Sequence, residues 1–289
     1  MLFQHLFSGI VLGCIYTLFS LGLTLIYGIL GLINFAHGEL YMFGAFFAFY
    51  ASLLFSANYF VSTVLATLGM VVLGFVIEKA VFRPLRGYHD TNIILSTIGL
   101  SIFLQNFGIL IFGPDPVRFA TSFADISLSF AGMTVGLQRL IIVVVTIILI
   151  IALHLFSQKT RMGKAMRACS QDLTAARMMG INVNKVTAFT VMIGAGLVGI
   201  GGALVAPLYL VSPVMGIKAC SKAFAVVILG GLGNVPGAIM GGFIVGIAES
   251  LTAGMISSHL RDVVPFLVLV FALLLKPEGL FAKHIQEKV

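Results

Sequence analysis

The chain has 289 residues, 60% of them hydrophobic and 9% charged, with a mean hydropathy of +1.12. A soluble domain carries about 25% charged residues, so this chain has too few polar side chains to cover a water-facing surface, and lipid must be the solvent for much of it. The net charge of +7 does not point to nucleic acid, because the basic residues fall between apolar runs, where they set membrane orientation.

Leu6–Ala36, Leu40–Ile77, Val186–Ile217 and Ala223–Ala248 contain no Asp, Glu, Lys, Arg or His. A spanning helix needs about 20 apolar residues, so several of these runs must fold back or break. Hydrocarbon leaves only helices or a closed barrel, since every backbone polar group needs an internal partner. Runs without polar–apolar alternation exclude the barrel. Met1–His5 carries no Lys or Arg, and the run after it is too long for a cleaved signal core. Cys14, Cys169 and Cys220 lie far apart and predict neither a disulfide framework nor a metal site.

In chain order, Phe7–Ile29, Glu39–Phe55 and Tyr59–Ile77 read as spans. A basic segment follows at 78–90, with Lys79, Arg83 and Arg86. Asn92–Phe112 and Leu137–Phe156 are the next two spans. Between them lies loop 113–136, with Pro114, Asp115, Pro116, Arg118 and Asp125. Segment 158–187 holds Lys159, Arg161, Lys164, Arg167, Arg177 and Lys185 against Asp172. Thr187–Leu210, a glycine-broken stretch 223–254, and Leu260–Leu275 complete the spans before the tail, with Lys276, Lys283 and Lys288. The three basic segments carry 12 of the 17 Lys and Arg residues, which puts them on the cytoplasmic side. The spans between them must then be even in number. The predicted fold is an all-α, polytopic helical membrane protein of eight or nine segments, some broken or re-entrant. Its N-terminus is expected outside and its C-terminus in the cytoplasm. Residues 1–289 read as one transmembrane unit with no soluble domain.

The chain has 32 glycines. Lipid gives no hydrophobic drive for helix association, so small residues permit close backbone contact. Gly9 and Gly13 form one such pair, Ala195, Gly199 and Ala203 a row, and Gly233, Gly237 and Gly241 another, with Gly242 and Gly246 beside it. Gly230–Gly237 (GGLGNVPG) has a second reading as a helix break inside the membrane, where broken helices expose backbone groups to solutes. That makes Gly231, Gly233 and Asn234 candidates for a translocation pathway. Asn34, His37 and Glu39 sit between two long apolar runs. They are either a short cytoplasmic turn, with Asn34 capping and Glu39 on a helix N-terminus, or pathway groups. Gln105 and Asn106 fall mid-span and serve either helix packing or the pathway. Glu249 and His154 read as interfacial residues.

Segment 158–187 differs in character, being rich in the helix formers Ala, Met, Arg and Lys. Ser170 is a candidate N-cap for a second short helix that Gly180 would end. Leu173, Ala176 and Met179 form a stripe that lies on lipid or docks in a partner's groove.

Five segments carry a resemblance. They are Gly22–Phe46 (containing LTLIYGILGLINFAHGELYMFGAF), Glu78–Gly87 (EKAVFRPLRG), Gly163–Val186 (GKAMRACSQDLTAARMMGINVNKV), Gly230–Gly242 (GGLGNVPGAIMGG) and Lys276–Phe281 (KPEGLF). In these the chain resembles the permease subunits of branched-chain amino-acid ABC importers, the LivH type, a family that also takes in urea and related amide importers. The tail departs slightly, with Lys276 where Arg is frequent. The resemblance implies residence in a bacterial cytoplasmic (inner) membrane and a second homologous permease subunit as partner. It also implies two cytoplasmic ATP-binding subunits and an extracytoplasmic solute-binding protein. It assigns the loop to ATPase coupling, through Gly163, Arg167, Asp172, Ala175, Ala176 and Gly180.

A phosphate-binding loop needs Gly-x4-Gly-Lys-Ser/Thr. Here Gly163-Lys164 is followed by Ala165, and Gln158 stands at the place of the first glycine. The chain is therefore expected to carry no cofactor and to be no enzyme, ATP being used by a partner. HExxH and GxSxG motifs are missing from the sequence too. A stand-alone channel or facilitator for a small neutral solute such as urea or an amide is the alternative, but it has no use for a helical coupling loop. An ion-coupled transporter keeps charges mid-membrane, and only Asn34–Glu39 offers a candidate.

Overall fold

A computed structural model describes residues 2–55, 58–121, 126–130, 133–277 and 279–281. Asp125, Lys283 and Lys288 lie outside the described residues, as does Glu278 of the tail motif. The chain is built from α1 (Leu2–Leu30), α2 (His37–Phe55), α3 (Tyr59–Ile77), α4 (Asp90–Phe112), β1 (Ser127–Phe130), β2 (Met133–Gly136), α5 (Leu137–Lys159), α6 (Arg161–Cys169), α7 (Leu173–Met178), α8 (Val183–Val205), α9 (Met215–Gly230), α10 (Val235–Met255) and α11 (Val264–Leu275). A π-helical turn, Glu78–Phe82, extends α3, and a 3-10 turn, Ser258–Leu260, precedes α11.

Among the described residues, seven helices (α1, α2, α3 with its π turn, α4, α5, α8 and α10) are long and apolar enough to cross a membrane. This is a polytopic all-α membrane protein. Two expected segments have other bounds than their sequence suggests. The helix expected over Leu260–Leu275 starts only at Val264, with Pro265 in its first turn where a missing N–H costs nothing. Its 12 residues reach about 18 Å, short of a 30 Å hydrocarbon core. α9 is 16 residues long and carries Lys218 and Lys222. α8 starts earlier than expected because Asn182 caps it, accepting from Lys185 N at 3.1 Å. It ends at Val205, just before the Ala206-Pro207 pair, which cannot continue a helix. In the loop after α4, β1 and β2 pair antiparallel, Ser127 opposite Gly136 and Phe130 opposite Met133.

α1 is the central helix, buried along most of its length against α8, α9 and α10. Glycine sets the approach distances. On α1, Gly9 and Gly13 lie against Gly242, Gly246 and Ile247 of α10, backbone to backbone. Gly44 of α2 meets Gly199 of α8, and Gly74 of α3 meets Ala195. The rows Gly9–Gly13, Ala195–Gly199 and Gly242–Gly246 are therefore helix crossings, as close van der Waals packing in lipid requires, whereas Gly233 of the third expected row lies outside α10. A second device appears twice. Gly31-Leu32-Ile33-Asn34 follows α1 and Gly231-Leu232-Gly233-Asn234 follows α9. In each, the glycine has positive φ (66° and 92°). In each, the asparagine Oδ1 then accepts from the backbone opening the next helix, Ala36 N at 3.1 Å and Gly237 N at 3.3 Å. The two breaks lie close together, Gly28 touching Gly233.

Candidate functional site

The segment between α5 and α8 folds as two short helices, for local reasons. Thr160 caps α6 by accepting from Gly163 N at 2.9 Å. Gly163 lies flat against the backbone of Phe156 and Ser157, so a side chain there would push α6 off α5. The second cap is Asp172 rather than the expected Ser170. Its Oδ1 accepts from Thr174 N at 2.7 Å and Ala175 N at 2.9 Å, and the carboxylate also suits the positive end of the helix. Gly180, at φ 80°, closes α7, a backbone turn that side chains resist. Ala176 is buried among Met166, Cys169, Val183 and Val186, with Ile29 in the same cluster. The expected stripe therefore divides. Ala176 and the half-buried Leu173 face inward, while Ala175, Arg177, Met178 and Met179 face outward. Met178 and Met179 are 83% and 82% exposed. Burial raises the Cys169 thiol pKa, which fits a packing role and makes the thiol a poor nucleophile.

GGLGNVPG does break the helix. α9 stops at Gly230, Gly231 and Gly233 adopt positive φ, and Pro236 lies in the first turn of α10. Gly230 and Gly237 touch through their backbones, which no other residue type would allow. The tail seals the break. Leu280 N donates to Leu229 O at 2.9 Å, Gly279 lies on Gly231, and Asn234 Nδ2 donates to Phe281 O. Two of the motif segments, distant in sequence, thus form one structure.

A cavity of about 1010 Å³ opens between α1, α5, α6 and this break. Its apolar wall includes Leu21, Leu25, Ile151 and Ile239, and its polar groups include Thr24, His154, Gln158, Arg167 and Asn234. Arg167 lies at the rim and donates to Gln158 Oε1. The cavity brings Gly233 and Asn234 together with Arg167. Gly231 sits just behind, buried under the tail.

Asn34, His37 and Glu39 are not a water-facing turn. All three are buried at the start of α2. The turn forms, but α1, α4 and α9 pack around it. His37 Nε2 lies 3.3 Å from Phe19 O, and the ring sits edge-on to Phe19 at 5.2 Å between centroids. Gly22 and Gly194 lie beside that ring or one another, Gly194 near the middle of α8. Ser101 Oγ donates to Glu39 Oε1 at 3.2 Å. Asn34 Nδ2, His37 Nδ1, Glu39 Oε2, Ser20 Oγ and Thr24 Oγ1 are buried without a protein hydrogen-bond partner, the kind of polar exception that marks functional interiors. Gln105 and Asn106 join neither group. Gln105 is half-buried, and Asn106 is exposed and donates to Ile102 O on its own helix at 2.8 Å.

Two ionic clusters escaped the sequence reading. Glu249, expected at an interface, is fully buried against protein, accepting from Tyr16 Oη at 2.6 Å, Lys222 Nζ at 2.9 Å and Arg261 Nε at 2.7 Å. Lys222 also reaches Asp262 at 2.8 Å and holds its carboxyl below the usual range. The second cluster centres on Glu78 at the end of α3. The signal was available in both cases: an acid at the edge of an apolar run needs a partner cation if it is buried, and Lys222 lay unassigned between two spans.

The chain as a whole has relatives among known proteins. The family described as branched-chain amino acid transport system, permease component, matches residues 5–273. The high-affinity branched-chain amino acid transport system permease protein LivH of Escherichia coli K12 is 37% identical, covering 99% of this chain and 97% of that protein. The corresponding protein BraD of Pseudomonas aeruginosa is 36% identical over the same shares. The probable branched-chain amino acid transport permease protein LivH of Methanocaldococcus jannaschii is 30% identical, covering 94% of this chain and 90% of that one. Among solved structures, a chain of PsaBC from Streptococcus pneumoniae in complex with Fab superposes with a TM-score of 0.52 over 95% of this chain and 91% of that one. At 13% identity that likeness speaks for the fold alone. With a near-complete family match and relatives alike from end to end, the chain belongs to the branched-chain amino acid transport permease family.

Proposed function

We propose that this chain is the membrane permease subunit of an ATP-driven importer for branched-chain or related amino acids. It supplies half of a translocation pathway, and a second homologous permease supplies the other half. Two cytoplasmic ATPases drive the pair, and an extracytoplasmic binding protein delivers the solute. The chain lies in the cytoplasmic membrane with its N-terminus outside and its C-terminus, α6 and α7 inside. The observation that carries this reading is the cavity shared by the helix break and the α6–α7 segment. A movement of Arg167 and its helix reshapes the wall next to Gly233 and Asn234, which links a docked motor to the pathway by contact. The outward face of α7 supports the docking role. Exposed methionines are adaptable apolar anchors for a partner's groove.

The test is the double variant Met178→Glu, Met179→Glu. Both side chains point out of the fold, so the protein is expected to reach the membrane in normal amount. Uptake of labelled leucine is expected to fall at least about tenfold, the effect of losing an interface anchor. Normal uptake overturns the docking role. The solubilised wild-type chain is expected to bring ATPase chains with it. Its recovery alone, with full transport in liposomes without ATP, would favour a stand-alone facilitator.

A further inference from the structure

The segment EKAVFRPLRG has no role so far, and the structure gives it one. Glu78 is a fully buried carboxylate at the start of the π-helical turn. Arg83 N donates to Glu78 O at 2.7 Å, closing that turn, and Arg83 Nη2 reaches Glu78 Oε2 at 3.1 Å. Single π turns are uncommon and gather at functional positions. Arg86 does more than neutralise the acid. Its Nη2 donates to Glu78 Oε1 and to Thr187 Oγ1, while its Nη1 donates to Asn184 Oδ1 at 2.5 Å. Asn184 and Thr187 lie in the first two turns of α8, and α8 begins directly after the α6–α7 segment. Arg177 of α7 is close enough to bear on Arg86 electrostatically. Burial lowers the Arg86 pKa most, Glu78 opposes this, and Arg83 and Arg177 add to the lowering. One guanidinium therefore joins two elements through three side chains, with α7 beside it. A planar fork with several fixed donors can do this, and an ammonium cannot.

We propose that Arg86 is a positioning residue that fastens the amino end of α8 to the end of α3, so that a displacement imposed on α6–α7 is transmitted to α3. Without the fastening, α8 swings alone and the motor's stroke is lost before it reaches the pathway. This rests on the proposed ATP-driven function.

The experiment uses the complete complex in nanodiscs and measures ATP hydrolysed per leucine transported. Arg86→Lys keeps the charge opposite Glu78 but cannot hold Thr187 and Asn184 at once. ATP consumed per leucine is expected to rise at least about tenfold, the scale of one lost charge-assisted hydrogen bond, with assembly and ATPase rate retained. Thr187→Val, which removes one arm only, is expected to give a smaller rise in the same direction. A wild-type ratio in both variants overturns the proposal, as does a loss of uptake and ATPase in equal proportion, which is what mere misfolding produces. If Arg86→Lys fails to assemble, the ratio in Thr187→Val decides. Failure of the underlying function is read separately, as wild-type uptake that needs no ATP.

Discussion

Glu249→Leu is expected to destabilise the folded chain by about 3 kcal/mol, seen as a lower thermal midpoint of the detergent-solubilised protein. The carboxylate is fully buried and is the common acceptor for Tyr16, Lys222 and Arg261. Breaking a buried pair by removing one member leaves the other charge uncompensated, at a cost of about 3–5 kcal/mol. The lower end applies here, because the Lys222 side chain keeps Asp262 and is 12% exposed, and Arg261 is 38% exposed and rehydrates readily. The cause is checked by the double variant Glu249→Leu, Lys222→Met. Removing both charges is expected to restore most of the loss. If the double variant stays as unstable as the single one, lost packing is responsible and the electrostatic account fails.

Gly246→Leu is expected to be worse for the fold as a whole. A Cβ at that position meets Gly13 N, Gly13 Cα and Gly9 O. These are backbone atoms of the central helix, and none can swing aside as a side chain would. Overpacking costs typically 1–3 kcal/mol and occasionally more, and a rigid neighbour places this case above that range, at more than about 3 kcal/mol. Little folded protein is expected in the membrane fraction. Gly246→Ala is expected to show the same defect in milder form. The control is Gly99→Ala on α4, where a Cβ meets nothing within 4 Å. There alanine's better helix propensity is expected to leave stability unchanged or raise it by up to about 1 kcal/mol. Equal behaviour of Gly246→Ala and Gly99→Ala would remove the crossing argument.

Much of the architecture was legible because lipid is a simple solvent. An uncharged run of spanning length has few options other than a helix, and Gly9, Gly13, Gly242 and Gly246 are spaced as crossings must be. The break at Gly231–Asn234 was legible too, since two glycines, an asparagine and a proline in succession satisfy local rules of helix ending and starting. The α6–α7 segment was readable to within its cap, Asp172 displacing Ser170 because a carboxylate serves the two backbone donors of that turn. Position within the bundle was less legible. His37 and Glu39 look like a turn in water because a short polar interval between apolar runs usually is one. Only the packing of α1, α4 and α9 around the start of α2 makes that turn an interior one. The Leu173–Ala176–Met179 spacing was correct for a helix face, yet α7 is too short for one face to be uniformly exposed, and α8 covers its middle residue.

The membrane character of the chain, its helical class and the helix break at GGLGNVPG follow from the sequence alone, because each depends on burial energy and backbone geometry over a few neighbouring residues. The pairing of Glu249 with Lys222 and Arg261, the reach of Arg86 from the end of α3 to α8, and the meeting of the tail with the GGLGNVPG break were decided only by the tertiary structure. Those contacts join residues far apart in the chain, and a charge finds its counter-charge by proximity in space, which no local pattern encodes.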